Sequence, residues 1–192
     1  MSPATLSPHA PPMLRLSCDR YHAMIAQGLL TREDRVELID GFLITKMSIG
    51  PAHSHVRSKL EKLLDRMFGD HAWVRGQEPI TINEYSEPEP DISVVIPPGE
   101  KYAVRHPIPE EVIFAVEVAD TSLKYDRETK IPLYAACGIA EAWLVDLTSR
   151  TVTVFSQPVG ATYASQRTFG AADLVPVPGL DGASISVVEL GL

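Results

Sequence analysis

Asp91 and Glu117 each stand where an unpaired carboxylate is costly. Asp91 follows Pro90 in Ser86-Glu87-Pro88-Glu89-Pro90-Asp91 and opens the apolar run from Ile92 to Ile96. Glu117 lies inside Val112-Ile113-Phe114-Ala115-Val116-Glu117-Val118-Ala119, a stretch otherwise wholly apolar, as in a strand covered on both faces. A buried carboxylate is tolerated when it is paired or binds metal. Two of them, on strands that can lie side by side, point to a shared cation. Lys124, Arg127 and Lys130 follow Glu117 closely and complete a carboxylate–carboxylate–lysine set.

A hard cation such as Mg²⁺ takes oxygen ligands and keeps several waters, so one or two carboxylates suffice. Asp91 and Glu117 can supply them, with the backbone carbonyl of Val118 as a third candidate. A metal held this way orients a water, lowers its pKa and stabilises charge on a phosphoryl group. A lysine beside that water can position it, or deprotonate it if its own pKa is depressed. The reaction class would be phosphodiester hydrolysis. The same residues also allow a plain structural reading. Asp91 would cap a turn after Pro90, Glu117 would pair with Arg127, and the lysines would be solvated. Spacing alone leaves the two readings level.

Other chemistries lack their motifs. The chain holds no Gly-rich dinucleotide or Walker-type phosphate loop and no G-x-S-x-G elbow. Cys18 and Cys137 form no CxxC pair and lie far apart, so neither a disulfide framework nor a zinc ribbon is expected. A reducing, cytoplasmic setting fits that usage.

The elements that must position these residues follow from periodicity and punctuation. Ser17 can cap a short helix through Tyr21, Met24 and Ile25 toward Gly28. Residues 35–40 and 42–47 predict two strands joined at Asp40-Gly41, with Glu37 on the first as a solvated strand residue or a third acid. From Pro51 a helix is expected, with Val56, Leu60, Leu63, Leu64 and Met67 on one face and Arg57, Lys59, Lys62 and Arg66 elsewhere. His53 and His55 fall in its first turn, but residues two apart point in different directions, so the pair is weak evidence for metal.

Residues 72–75 and 78–82 predict short strands ahead of the Asp91 and Glu117 strands. A helix from about Asp126 is expected to carry Lys130 and Tyr134 on one face, with Pro132 forcing a first turn or a kink. Residues 141–146 and 151–156 predict a hairpin, and 162–192 a tail of short β-like pieces.

At 192 residues and 45% hydrophobic content, one domain over 13–192 is expected, preceded by a disordered Ser/Pro/Ala-rich arm over 1–12. No apolar run approaches a membrane span. The 25 acidic against 17 basic residues give a net charge of −8, which counts against a dedicated nucleic-acid binder. A metal-dependent enzyme with a local basic patch stays compatible with it.

The ordered set of pieces resembles the Uma2 family of restriction-endonuclease-like proteins, in the PD-(D/E)xK nuclease superfamily. The carrying pieces are Val36-Glu37-Leu38-Ile39-Asp40-Gly41, Pro51-Ala52-His53, Glu87-Pro88-Glu89-Pro90-Asp91, Val116-Glu117-Val118-Ala119-Asp120-Thr121-Ser122, Tyr125-Asp126-Arg127-Glu128-Thr129-Lys130 and the run from Tyr134 to Asp146. The resemblance implies an α/β (α+β) fold, with a mixed central sheet flanked by helices and extra β-hairpins. It implies an Mg²⁺- or Mn²⁺-dependent endonuclease acting on nucleic acid, DNA above all, and working as a homodimer. Asp91 matches the PD aspartate and Glu117 the second acid. Ala119 stands where the superfamily usually keeps lysine, so the resemblance points to Lys130 on the following helix, with Lys124 as the fallback. Glu37 and His53 match recurrent family positions. Two alternatives stay open: a catalytically inactive dimeric binding protein, and a hydrolase of a non-nucleic phosphoester.

Overall fold

The computed structural model describes residues 13–192, so the arm expected over 1–12 lies outside the described residues. Six strands form the central sheet in the order β3-β4-β5-β6-β7-β8. They are β3 (Trp73–Gly76), β4 (Ile92–Val95), β5 (Val112–Ala119), β6 (Glu141–Asp146), β7 (Thr151–Val159) and β8 (Thr162–Phe169). Every neighbouring pair is antiparallel except β5 and β6, which run parallel. A parallel pair needs a crossover. Here it is the helical stretch from Leu123 to Ala136. The mixed sheet flanked by helices is the expected architecture.

Side chains alternate along β5 to feed two cores. Phe114, Val116 and Val118 face one side, where helix α2 (Pro51–Phe68) lays Val56, Leu60, Leu64 and Phe68 against them. Ala115 and Ala119 face the other side with Ile131, Tyr134 and Leu144. The sheet is therefore covered on both faces, as the near-continuous apolar run of β5 demands. Phe114 and Trp143 stack at a centroid distance of 4.9 Å in the first core. Leu64 is fully buried there. Leu64→Ala should lower stability by about 2–5 kcal/mol, read as a lower urea midpoint with an unchanged m-value.

Helix α1 (Cys18–Ala26) is capped by Ser17, whose side chain accepts from the Arg20 N–H. Strands β1 (Val36–Ile39) and β2 (Phe42–Thr45) form a separate hairpin. Asp40 and Gly41 both take positive φ at its turn, the geometry that suits the twist of a tight hairpin. Pro51 occupies the first turn of α2, where its missing N–H costs nothing.

Three local expectations are corrected. Residues 78–82 form no ladder strand; Ile80 and Ile82 donate to the carbonyls of Pro88 and Ser86 in an irregular loop. Pro79, Pro88 and Pro90 have no N–H to give, so a regular ladder cannot form. The helix after β5 starts at Leu123, not Asp126: α3 (Leu123–Tyr125) leads through a π turn, Asp126–Lys130, into α4 (Ile131–Ala136). Ile131 donates to Asp126 O across the wider turn, which accommodates Pro132 just beyond it. In the tail, β8 is a full edge strand rather than a short piece. The hairpin of β9 (Leu174–Pro176) and β10 (Ser184–Ser186) then brings Val175, Ile185, Val187 and Leu190 into the α2 core.

Candidate active site

Asp91 stands at the entrance of β4 and Glu117 two residues from the end of β5. The pairing of Ile92 with Val116 brings the two together. Asp91 Oδ2 accepts from the Val118 N–H at 2.9 Å and from His53 Nε2 at 2.9 Å. Its Oδ1 accepts from Gln77 Nε2 at 3.2 Å. Gln77 holds φ near +52°, a conformation uncommon for a residue with a side chain. Its own N–H is tied to Asp91 O. Burial pushes the Asp91 carboxyl up, but the His53 hydrogen bond and charge and the Val118 N–H more than offset it. The pKa ends below the usual carboxylate value.

Glu117 Oε1 accepts from the Tyr134 hydroxyl at 2.5 Å and lies 2.8 Å from Lys130 Nζ. Lys130 also donates to the Glu89 carbonyl at 3.0 Å and lies 3.4 Å from Glu37 Oε2. Glu37 in turn accepts from the Glu89 N–H at 2.9 Å. Lys130 is thus a buried ammonium held by two carboxylates and a carbonyl from β1, β5 and the loop before β4. Burial works to lower its pKa, yet Glu117 and Glu37 outweigh that and hold it well above its ordinary value. The condition for a lysine base, a depressed pKa, is not met; Lys130 is a fixed positive donor.

Burial pushes Glu117 well up, against the pull of Lys130. Asp126, buried beside them, is pushed up to about 6 by the same cause. Tyr134→Phe removes one donor from Glu117 Oε1 and should cost about 1–3 kcal/mol, measured by chemical denaturation.

The site opens on one cavity of about 310 Å³. Asp91, Glu117, Lys130, Glu37 and His53 all line it. Lys124 is exposed and does not line it, and neither does Arg127. Glu117 therefore pairs with Lys130, not Arg127, and the plain structural reading of solvated lysines fails for Lys130. Glu37 is buried rather than solvated, because β1 packs its side chain against the Glu89–Lys130 junction. His53 and His55 part as helical geometry requires: His53 is buried on Asp91, and His55 is exposed. Val118, expected to offer its carbonyl, contributes its N–H to Asp91.

The donor set suits a hard cation. Asp91 Oδ1 carries one hydrogen bond, and the bonds to Glu117 all fall on Oε1, so carboxylate oxygens from both strands remain for a ligand. The oxygens outnumber the local cations. Among the described residues, six acids line the cavity (Glu37, Glu89, Asp91, Glu117, Asp120 and Asp126) against Lys46 and Lys130. Lys46 is itself paired with Glu89.

The Uma2 family model, described as "Putative restriction endonuclease", matches residues 18–188. The chain belongs to the Uma2 family. A similar fold is seen in a crystal structure from Anabaena variabilis, of "a putative nuclease belonging to DUF820". The two superpose with a TM-score of 0.72 at 22% identity, over 91% of this chain and 97% of that one. At that identity the likeness is one of fold. No curated protein matches the chain. Among the described residues, no helix is long and apolar enough to cross a membrane.

Within this Uma2 chain, several residues in or behind the site carry little local signal. Gln77 and Glu89 reach the site from irregular backbone. Helical spacing puts Tyr134 on the Lys130 face, but its bond to Glu117 depends on how α4 packs on β5. Asp126 sits on the π turn, where ordinary helical spacing misplaces side chains.

Proposed function

We propose that this Uma2 protein is a metal-dependent endonuclease that hydrolyses phosphodiester bonds of nucleic acid. The reading is carried by one observation: Asp91, Glu117 and Lys130, from three separate elements of the chain, converge on one acidic cavity. Asp91 and Glu117 would hold Mg²⁺ or Mn²⁺, with the adjoining Val118 carbonyl as a third ligand. Such a cation polarises a phosphate and activates a bound water. His53, Gln77 and the Val118 N–H fix the Asp91 carboxylate, so its orientation is set before substrate arrives. Lys130, kept protonated, offers an N–H to the attacking water or to the anionic phosphate and balances charge as it develops.

The acidic lining repels a bare polyanion, so nucleic acid should bind weakly until the cation is present. The same lining favours a second reading, a hydrolase of a small non-nucleic phosphoester, which has fewer charges to bring in. The assay that separates them offers plasmid DNA, single-stranded DNA, RNA and small phosphodiesters with Mg²⁺ or Mn²⁺. Asp91→Asn and Glu117→Gln serve as controls. Metal-dependent nicking that both substitutions abolish supports the endonuclease. Turnover confined to small esters supports the second reading. No hydrolysis of any substrate leaves the inactive binding protein. Cutting both strands of a duplex calls for two sites, so a homodimer belongs to the proposal; a monomer by light scattering at micromolar concentration would remove it.

A further inference from the structure

We propose that His22, Glu87 and His106 form a second metal site, built for a transition cation of the zinc class rather than for magnesium. One ligand atom from each lies within 4.8 Å of the others. His22 Nε2 is 2.7 Å from Glu87 Oε1, and the two imidazole rings stand 6.2 Å apart at a steep angle. The three come from helix α1, the loop before β4 and the loop after it.

Glu87 gives the cluster its charge. Its side chain is 1% exposed, and among the described ion pairs its partner is His22, itself 47% exposed. A buried carboxylate calls for a firmer positive partner. The nearby Arg75 does not supply it. Arg75 is engaged with Glu78 and the Pro79 carbonyl, and reaches His106 Nδ1 only at 3.5 Å, the outer limit of a hydrogen bond. Arg75 is spent on Glu78 and the Pro79 carbonyl, which leaves His22 as the ion-pair partner of Glu87 among the described residues.

The donor types select the ion. Two imidazoles and one carboxylate match three-ligand zinc sites that keep a fourth position for water, whereas magnesium prefers oxygen throughout. Glu87 is oriented for the task. Its Oε2 accepts from Thr81 Oγ1 at 2.7 Å, and its backbone N–H donates to Leu38 O. A supporting hydroxyl of this kind fixes a ligating carboxylate. His22 is 47% exposed, which leaves the ion a route in. A filled site would clasp α1 to the loops on either side of β4. It would also stiffen the segment that carries Glu89 and Asp91 to the acidic cavity, and stabilise the fold by mass action.

The test uses the full chain with Asp91→Asn and Glu117→Gln, which disables the carboxylate cavity as a competing site. Zn²⁺ is titrated by calorimetry into this background and into the same background with His22→Ala, His106→Ala or Thr81→Val. Co²⁺ absorption serves as a second readout. One equivalent of zinc should bind and raise Tm, unaffected by millimolar Mg²⁺. His22→Ala should weaken binding by at least about 100-fold and Thr81→Val by about 10–100-fold. The visible bands of four-coordinate Co²⁺ should vanish with either histidine. His22→Gln, which keeps a hydrogen-bond donor for Glu87, is titrated beside His22→Ala, and circular dichroism of each variant separates lost binding from a lost fold. Zinc affinity unchanged in His22→Ala, or no zinc binding to the background at millimolar concentration, overturns the proposal.

Discussion

Lys130→Met is expected to destabilise the protein by about 3–5 kcal/mol and to abolish metal-dependent cleavage. Lys130 is 5% exposed, and its ammonium meets Glu117, Glu37 and the Glu89 carbonyl. Methionine fills the volume but leaves two buried carboxylates without their shared cation. Removing one partner of such a set costs more than the set ever contributed, because the desolvated charge stays behind. Adding Glu117→Gln to Lys130→Met should therefore recover part of the loss. A double-mutant cycle by urea denaturation would show a coupling well above the few tenths expected of independent sites. Additive effects would mean that the pair is not formed in solution. Because the single variant weakens the fold, its missing activity must be measured well below its melting temperature. Lys130→Arg, which keeps the charge, separates the two losses: stability largely retained with cleavage lost.

The pH dependence of this pair has a definite sign. The folded pKa of Lys130 is raised, so its contribution to stability is complete below its unfolded value, near 10.5. That contribution is lost as pH rises through the folded value. Activity should accordingly show no ionisation of this lysine across the neutral range, since it is a donor there and not a base. Asp91 has the opposite sign. Its depressed pKa contributes stability above its unfolded value, near 3.8, which disappears as pH falls through the folded value.

The second large effect concerns Mg²⁺ affinity. Burial raises the Glu117 pKa against the pull of Lys130, so protons compete with a cation for this carboxylate at higher pH than they would for an exposed glutamate. A ligating carboxylate must be ionised, so wherever Glu117 carries a proton, metal binding has to release it. Affinity is expected to rise by about tenfold per pH unit below the Glu117 pKa and to level off above it. Calorimetry in buffers of different ionisation enthalpy should show a proton release approaching one per ion at the acid end. Glu117→Gln should lose both the affinity and the proton release. An Mg²⁺ affinity that does not fall on acidification, with no proton released, would show that Glu117 is no ligand.

Much of this protein was legible before its tertiary structure. The Glu117 strand announced itself because a carboxylate inside eight otherwise apolar residues has few physical explanations. The α2 helix followed from apolar residues at helical spacing, and the Asp40-Gly41 hairpin from a turn that demands positive φ. These are local properties: period, punctuation and burial leave their mark on neighbouring residues. The pairing of carboxylates was legible for the same reason, since each was anomalous within its own strand.

What tertiary structure alone decided were the partners. Lys124, Arg127 and Lys130 are three cations on one short stretch, and only the π turn before Pro132 determines which one turns inward. Glu37 reads as an ordinary strand residue until β1 packs beside the Glu89 backbone. His53 gains meaning from Asp91, 38 residues away, and His22 from Glu87, 65 residues away. Such contacts depend on strand register and helix docking, which are set by the whole core rather than by any window of sequence. The shifted pKa values of Lys130 and Glu117 follow from those contacts and from burial, so they too belong to the folded chain.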